Sequence, residues 1–349
     1  MKRIEIKNIG ILSAFASAFL FGASTPFAKL LLTGIHPWLL ASLLYLGSGL
    51  GLTLYRKIIQ APMITLNKRE IFWFAGAILS GGVIAPVLLM LGLVRMPASS
   101  ASLLLNAESV FTAVLAWLVF KENVDRRLLI GMLAIVMGAI FLSWSKEAFF
   151  SSISSFLLVL AACFAWGVDN NLTRKVSLND ATWIASVKGL VAGLVNFLLA
   201  ITFYQVTFPP MGQVVGTMMI GFFAYGLSLT LFVVGLRHLG TARTGAYFSI
   251  APFVGAVIAV LMGEAITVPL LIAGVLMGFG VWLHLTEKHE HIHRHEALEH
   301  EHEHIHDEHH QHSHDYPVAA GVKHCHRHQH QLLEHSHPHY PDIHHQHKH

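Results

Sequence analysis

The sequence predicts an all-α integral membrane protein: ten transmembrane helices arranged as two inverted five-helix repeats, followed by a disordered, histidine-rich C-terminal tail. Three observations predict it. Of 349 residues, 54% are hydrophobic and only 12% are charged, with mean hydropathy +0.56; a soluble domain carries about a quarter charged residues. The apolar residues gather into runs of about 20, the length that crosses about 30 Å of hydrocarbon as a helix. Finally, the chain partly overlays itself when shifted by about 145 residues.

Ten apolar runs are candidate spans: 10–32, 36–55, 71–94, 98–119, 127–145, 153–172, 181–203, 212–236, 241–262 and 267–285. The connections are short and several carry Pro or Gly, as at Gly34 to Pro37, Met96-Pro97, Pro209-Pro210 and Leu239-Gly240. Lys2, Arg3 and Lys7 followed by an apolar run containing Ala16-Ser17-Ala18 resemble a secretory signal, but the run continues to Leu32 and recurs later in the chain. It is read as a retained first helix. Lysines and arginines in the connections set the orientation. Fifteen fall on the side of the two termini, whereas only Arg95 and Lys146 fall on the other. Both termini are therefore expected in the cytoplasm, with the chain multi-pass in the inner membrane.

The halves correspond residue by residue. AFLFGASTPFAK (18–29) lies over CFAWGVDNNLTR (163–174), so Phe21 meets Trp166, Gly22 meets Gly167 and Lys29 meets Arg174. LGLVRMPAS (91–99) lies over VGLRHLGTA (234–242). Helix four ends at Glu122 where helix nine ends at Glu264, and Gly131 meets Gly274. Each unit holds an odd number of spans, so the second must run in the opposite sense. Inverted repeats are an architecture of secondary transporters, with the site near midplane between the halves.

These features resemble the EamA family of the drug/metabolite transporter superfamily: five plus five helices, a Phe/Trp-Gly pair with a basic residue seven positions after the Gly, and Glu closing helices four and nine. The resemblance covers about 10–285, with repeats at 10–145 and 153–285. It implies a bundle around a cavity lined mainly by helices 1, 3, 4, 6, 8 and 9, and export of small metabolites or amphipathic compounds. Pro252 matches a proline common in helix nine of the family. Helix four carries Ser109 at the equivalent position, which leaves it no proline for a kink.

Ionisable groups inside spans cost a few kcal/mol and are functional candidates by default. Glu108 is the eleventh of about 22 residues in helix four, close to midplane. It is a proton or cation site, an anchor for a cationic group, or a paired structural carboxyl. Asp169 and Lys188 lie at matching depths and are candidate partners, as a gate, a substrate clamp or a static bridge. Lys29, near a helix end, is read as snorkelling. Asn170, adjacent to Asn171, faces a neighbour helix or a wet cavity. Asn106 shares a stripe with Ser102 and Ser109, which suits either substrate contact or close helix packing. Trp166, Tyr225 and Tyr247 are candidate stacking or hydrogen-bonding groups, or packing. No phosphate-binding Gly-rich loop and no catalytic arrangement is present, so no enzyme activity, required cofactor or nucleic-acid partner is expected.

Residues 287–349 hold 23 of the 26 histidines and a formal charge of −6, against +9 for residues 1–286. His-x-His recurs along it. Candidate metal ligands are His300, His302, His304, His306, His312, His314, His324, Cys325, His326, His328, His330, His335, His337 and His339. Neutral imidazole suits Zn, Ni, Co and Cu. The lack of fixed tetrahedral spacing predicts several weak sites on a disordered cytoplasmic chain. The leading reading is an exporter of a small organic metabolite with a metal-binding tail. The alternatives are a transition-metal transporter that collects ions with the tail, and a membrane metal sensor or reservoir. The expected partners are a small-molecule substrate, transition-metal ions and the bilayer; a homodimer is compatible with this reading.

Overall fold

Helix α1, Lys2–Leu31, opens the chain in the computed structural model, which describes residues 2–62, 64–120, 126–143, 149–176, 179–239, 244 and 247–285, together with four short tail strands. Then follow α2 (Pro37–Ile58), α3 (Lys68–Leu93), α4 (Ala98–Val119), α5 (Arg126–Ser143), α6 (Phe149–Thr173), α7 (Ala181–Phe203) and α8 (Met211–Gly235), and after them α9 (Ala251–Leu261) and α10 (Val268–Leu285). Eight of these, α1 to α8, are long and apolar enough to cross a membrane, while α9 and α10 appear as shorter apolar helices among the described residues. Part of the ninth predicted span, 241–243 with 245–246, lies outside the described residues. The chain is a multi-pass membrane protein, and its lipid-facing surfaces carry exposed Leu12, Leu54, Phe72 and Val275.

Local chemistry sets several of the helix starts. Asn67 and Glu70 form a reciprocal capping box at α3, satisfying two backbone donors that the first turn leaves open. Asp180 caps α7 through the Thr182 and Trp183 amides and pairs with Arg56 at 2.9 Å. Its carboxyl is raised by partial burial, but these hydrogen bonds and Arg56 outweigh burial and hold it below the usual range. Pro37 and Pro210 sit where a helix start tolerates the missing N–H.

The halves interlock as a swapped pair. α2 packs along α7, and α5 along α10; α1 lies against α8 and α9, as α6 lies against α3 and α4. At the α2–α7 crossing Gly49 and Gly189 bring backbones together: a Cβ at Gly49 would stand 2.4 Å from the Leu190 nitrogen. Close approach of small residues is how helices associate in lipid. The Gly22/Gly167 correspondence also has a structural meaning. Pro26 has no N–H for the Gly22 carbonyl four residues back; in the second half Asn171 Nδ2 donates to the Gly167 carbonyl at 2.8 Å.

Two departures from regular helix recur in both halves. α3 contains a π turn at Ile78–Ile84 and α8 one at Phe222–Leu227, at equivalent repeat positions. α4 is divided into Ala98–Leu104 and Ala107–Phe120, and α9 begins after a turn at 249–250. The span expected at 98–119 is present and is interrupted by a turn at 105–106. It breaks without a proline because side chains take over the freed carbonyls. Asn106 Nδ2 donates to Leu103 O at 3.0 Å and Ser109 Oγ to Asn106 O at 2.7 Å.

The tail forms a separate unit, Lys288–Pro341. Where a chain without secondary structure is expected, β1 (Glu290–His295) pairs antiparallel with β4 (Leu333–Pro338), and β2 (Glu299–His304) with β3 (His324–Gln329). The alternating His-x-His pattern has the two-residue period of a strand. In register, His300, His302 and His304 stand opposite His328, His326 and His324; Cys325 stands opposite Glu303. His335 and His337 stand opposite His293 and His291. His306, His312, His314, His330 and His339 lie outside the described residues.

Candidate functional site

The break in α4 places Glu108 in the first turn of its second half, where a helix N-terminus favours negative charge. Asn170 of α6 donates its amide to Glu108 Oε1 at 2.8 Å and lies 3.3 Å from Thr112 Oγ1. Asn170 is exposed, yet it lies 120° or more around α6 from the exposed Leu157 and Phe164, taking about 100° per residue. Its exposed face is therefore a different one from that of Leu157 and Phe164. Asn171, about 100° further round the helix, donates to the Thr112 and Gly167 carbonyls.

Next to this group lies the predicted partnership of Asp169 and Lys188. The two side chains form a direct ion pair between α6 and α7. Asp169 is 4% exposed, and its second oxygen accepts from Thr173 Oγ1 at 2.9 Å. Glu108 lies within electrostatic range of both members of the pair.

The π turn of α3 supplies the floor. A π turn disturbs the regular backbone ladder, and here side chains of other helices bond its carbonyls. Gly81 O accepts from Tyr45 Oη at 2.8 Å and Trp166 Nε1 at 3.1 Å; Asn196 Nδ2 lies 3.3 Å from both Gly82 O and Val83 O. Trp166 also touches Phe21 at 6.5 Å between ring centres, Phe21 touches Tyr225 at 5.9 Å, and Tyr225 touches Tyr45 at 5.2 Å. This is an aromatic wall built by α1, α2, α6 and α8 around the two π turns.

The structure thus brings Glu108, Asn170, Asp169, Lys188, Trp166 and Tyr225 into one region. It does not bring Asn106, which is 3% exposed and turned toward Met277 Sδ of α10 at 3.9 Å. Tyr247 pairs instead with Phe15 at 4.9 Å. Sequence reasoning missed Thr112, Tyr45, Phe21 and Asn196. A lone amide in apolar α7 and a Gly81-Gly82 pair inside a span were the signals available. Among the residues whose side chains are described, no group of three or more His, Cys, Asp or Glu is placed to hold a metal ion.

A second charged cluster lies at the ends of α3 and α4. Lys29 Nζ donates to Leu93 O at 2.7 Å and Val94 O at 3.0 Å, while Glu264 accepts from the Ala98 and Ser99 amides at 2.6 and 2.8 Å. Lys29 is therefore a helix cap and not merely a snorkelling cation. The cavity here, lined by Lys29, Arg95, Pro97, Glu264 and Thr267 among others, has a volume of about 430 Å³. Nearby His36 packs at a tilt of 36° against Tyr204 with ring centres 5.1 Å apart, and burial lowers its imidazole below the usual value.

Comparison with known proteins agrees with this architecture. The model of the EamA-like transporter family matches twice, over residues 8–144 and 153–286. An uncharacterized transporter of Methanothermobacter thermautotrophicus is 28% identical over 295 residues, covering 78% of this chain and 85% of that protein. A probable amino-acid metabolite efflux pump of Salmonella typhimurium is 30% identical over 204 residues, covering 54% and 68%. The corresponding pump of Escherichia coli is 27% identical over 207 residues, with the same coverage. A solved crystal structure superposes with a TM-score of 0.63 at 17% identity, over 79% of this chain and 98% of its own, which shows a shared fold alone. The two family matches fall on the two halves whose helices exchange equivalent contacts, and together they span most of the chain: it belongs to the EamA-like transporter family.

Proposed function

We propose that the chain is a ten-span secondary transporter that exports a small organic metabolite, an amino acid or amino-acid derivative, through the space beside Glu108. The observation that carries this reading is the Glu108–Asn170–Thr112 group at the break of α4, next to the wall of Phe21, Trp166 and Tyr225. A carboxylate held by an amide at a half-helix terminus is suited to an ammonium group. Donors and acceptors beside it suit a carboxylate or amide, and the aromatic wall suits an apolar side chain. Pockets of this kind, mostly apolar with few placed polar groups, are how small molecules are bound. The similarity to the probable amino-acid metabolite efflux pumps of Salmonella and Escherichia favours the same substrate class. The bias of lysine and arginine toward one side supports cytoplasmic termini in an inner-membrane protein. No dedicated metal path is part of this reading.

The tail is proposed to bind Zn, Ni, Co or Cu through its histidines on the cytoplasmic side, buffering or sensing metal beside the transporter. The experiment compares cells carrying the full-length protein, a chain ending at Glu287, and Glu108→Gln. Loss of metabolite export in Glu108→Gln with unaltered metal content is the expected outcome. Altered metal content in Glu108→Gln cells would instead favour metal as the cargo. Metabolite content that is the same with and without the protein would favour a non-transporting sensor.

A further inference from the structure

The strands of the tail set histidine opposite histidine, and nothing in the helical bundle accounts for that. β1 with β4 and β2 with β3 keep one common register, from Glu290 opposite Pro338 to His304 opposite His324. Five histidine pairs occupy directly opposite positions in it, two in the first pairing and three in the second. Successive pairs are two residues apart, and a strand returns to the same face every two residues. The pairs within each pairing therefore share one face. The alternate positions match charges of opposite sign, Arg294 with Glu334 and Glu301 with Arg327. A slip of one residue would set His302 against Cys325 or Arg327 and undo both patterns.

These strands have no apolar face to hold them together. Ile292 and Leu333 are the only large aliphatic residues in the four of them. A lone two-stranded ribbon is marginal in water, so the pairing needs another source of stability. The paired histidines supply one. Opposite Cβ atoms of an antiparallel pair stand about 4.5–5.5 Å apart, a spacing that suits two imidazoles sharing one ion through bonds of about 2.0–2.1 Å. Neutral imidazole is a donor that Zn, Ni and Cu accept. The strand glutamates all take the alternate positions, so the histidine face carries no carboxylate for Ca or Mg.

We infer that the tail is zipped by metal: one divalent transition-metal ion bridges each cross-strand histidine pair, and the ions together hold β1 on β4 and β2 on β3. Where metal binding builds its own site, binding free energy is folding free energy, so loading the pairs orders the strands. The inference rests on the tail reading above, that these histidines take up transition metal, and adds which histidines act together.

The test uses the full-length protein in detergent, Ni(II) as the probe and equilibrium dialysis to count the ions bound. Tail histidines outside the five pairs are first replaced by Gln, so that each ion counted belongs to a pair. In this background His302→Ala is expected to remove one ion. Adding His326→Ala, at the opposite position, is expected to remove no further ion. Adding His293→Ala instead, a member of a different pair, is expected to remove a second. Equal counts in the two double variants overturn the inference, and so does a background that binds no Ni(II) while the wild type binds it. Wild-type protein that binds no Ni(II) refutes the tail reading itself.

Discussion

Gly81→Ala tests the packing of the site where a single methyl group decides the outcome. The added carbon would lie 1.9 Å from Asp169 Oδ2 and 2.2 Å from its Cγ, where carbon contacts settle at about 3.5–4.0 Å. Something must move by about 1.5 Å. The backbone of the π turn is held by Tyr45, Trp166 and Asn196 through three successive carbonyls, so the carboxylate gives way and leaves Lys188. Ordinary overpacking costs about 1–3 kcal/mol, and leaving a buried charge unpaired costs about 3–5 kcal/mol; the second dominates. Unfolding of the purified protein in detergent should therefore show a loss of about 3–5 kcal/mol. In a background of Asp169→Ala with Lys188→Met the methyl enters vacated space, and the same substitution should cost less than about 1 kcal/mol, a coupling of about 2–4 kcal/mol. Equal losses in the two backgrounds would refute the argument.

Glu264→Ala removes the acceptor for the first two amides of α4 and should cost about 1–2 kcal/mol in the same unfolding assay; Glu264→Gln keeps an acceptor and should cost less, and the reverse order would contradict the cap. Asp180 behaves as a carboxylate held below its usual range. Its stabilisation is therefore present above the unfolded value of about 3.9 and is lost as pH falls through the folded value. Asp180→Ala should destabilise by about 1 kcal/mol at neutral pH, and the difference from wild type should shrink as pH drops below about 4; a gap undiminished at low pH would count against it. Gly216→Ala in α8, where an added Cβ meets nothing within 4 Å, should raise stability by about 0.5–1 kcal/mol, read as a higher unfolding midpoint.

The sequence carries those parts of the fold that depend on periodicity and sign of charge. The long apolar runs gave eight helices of membrane-crossing length and two shorter ones, and the self-overlay matches the exchange of contacts between halves. Asp169 and Lys188 could be paired in advance because depth along two helices is a one-dimensional quantity. The break of α4 could not, since Asn106 and Ser109 achieve locally what a proline would announce. Nor could the π turn at Ile78–Ile84: what bonds its carbonyls comes from Tyr45, Trp166 and Asn196, residues 36 to 114 positions away. The role of Glu264 was hidden for the same reason, its partners lying more than 160 residues upstream. The helical stripe left Asn106 open to substrate contact or helix packing. The break turned it toward α10, because a stripe holds its direction only while the helix is continuous.

The most direct test of the substrate site is exchange of radiolabelled neutral amino acids by the purified protein in liposomes at equal pH, comparing wild type with Glu108→Gln and Asn170→Ala. If Glu108 holds the ammonium group and Asn170 orients it, exchange should fall at least tenfold in Glu108→Gln and severalfold in Asn170→Ala, with both proteins folded. Exchange at the wild-type rate in Glu108→Gln would contradict the account.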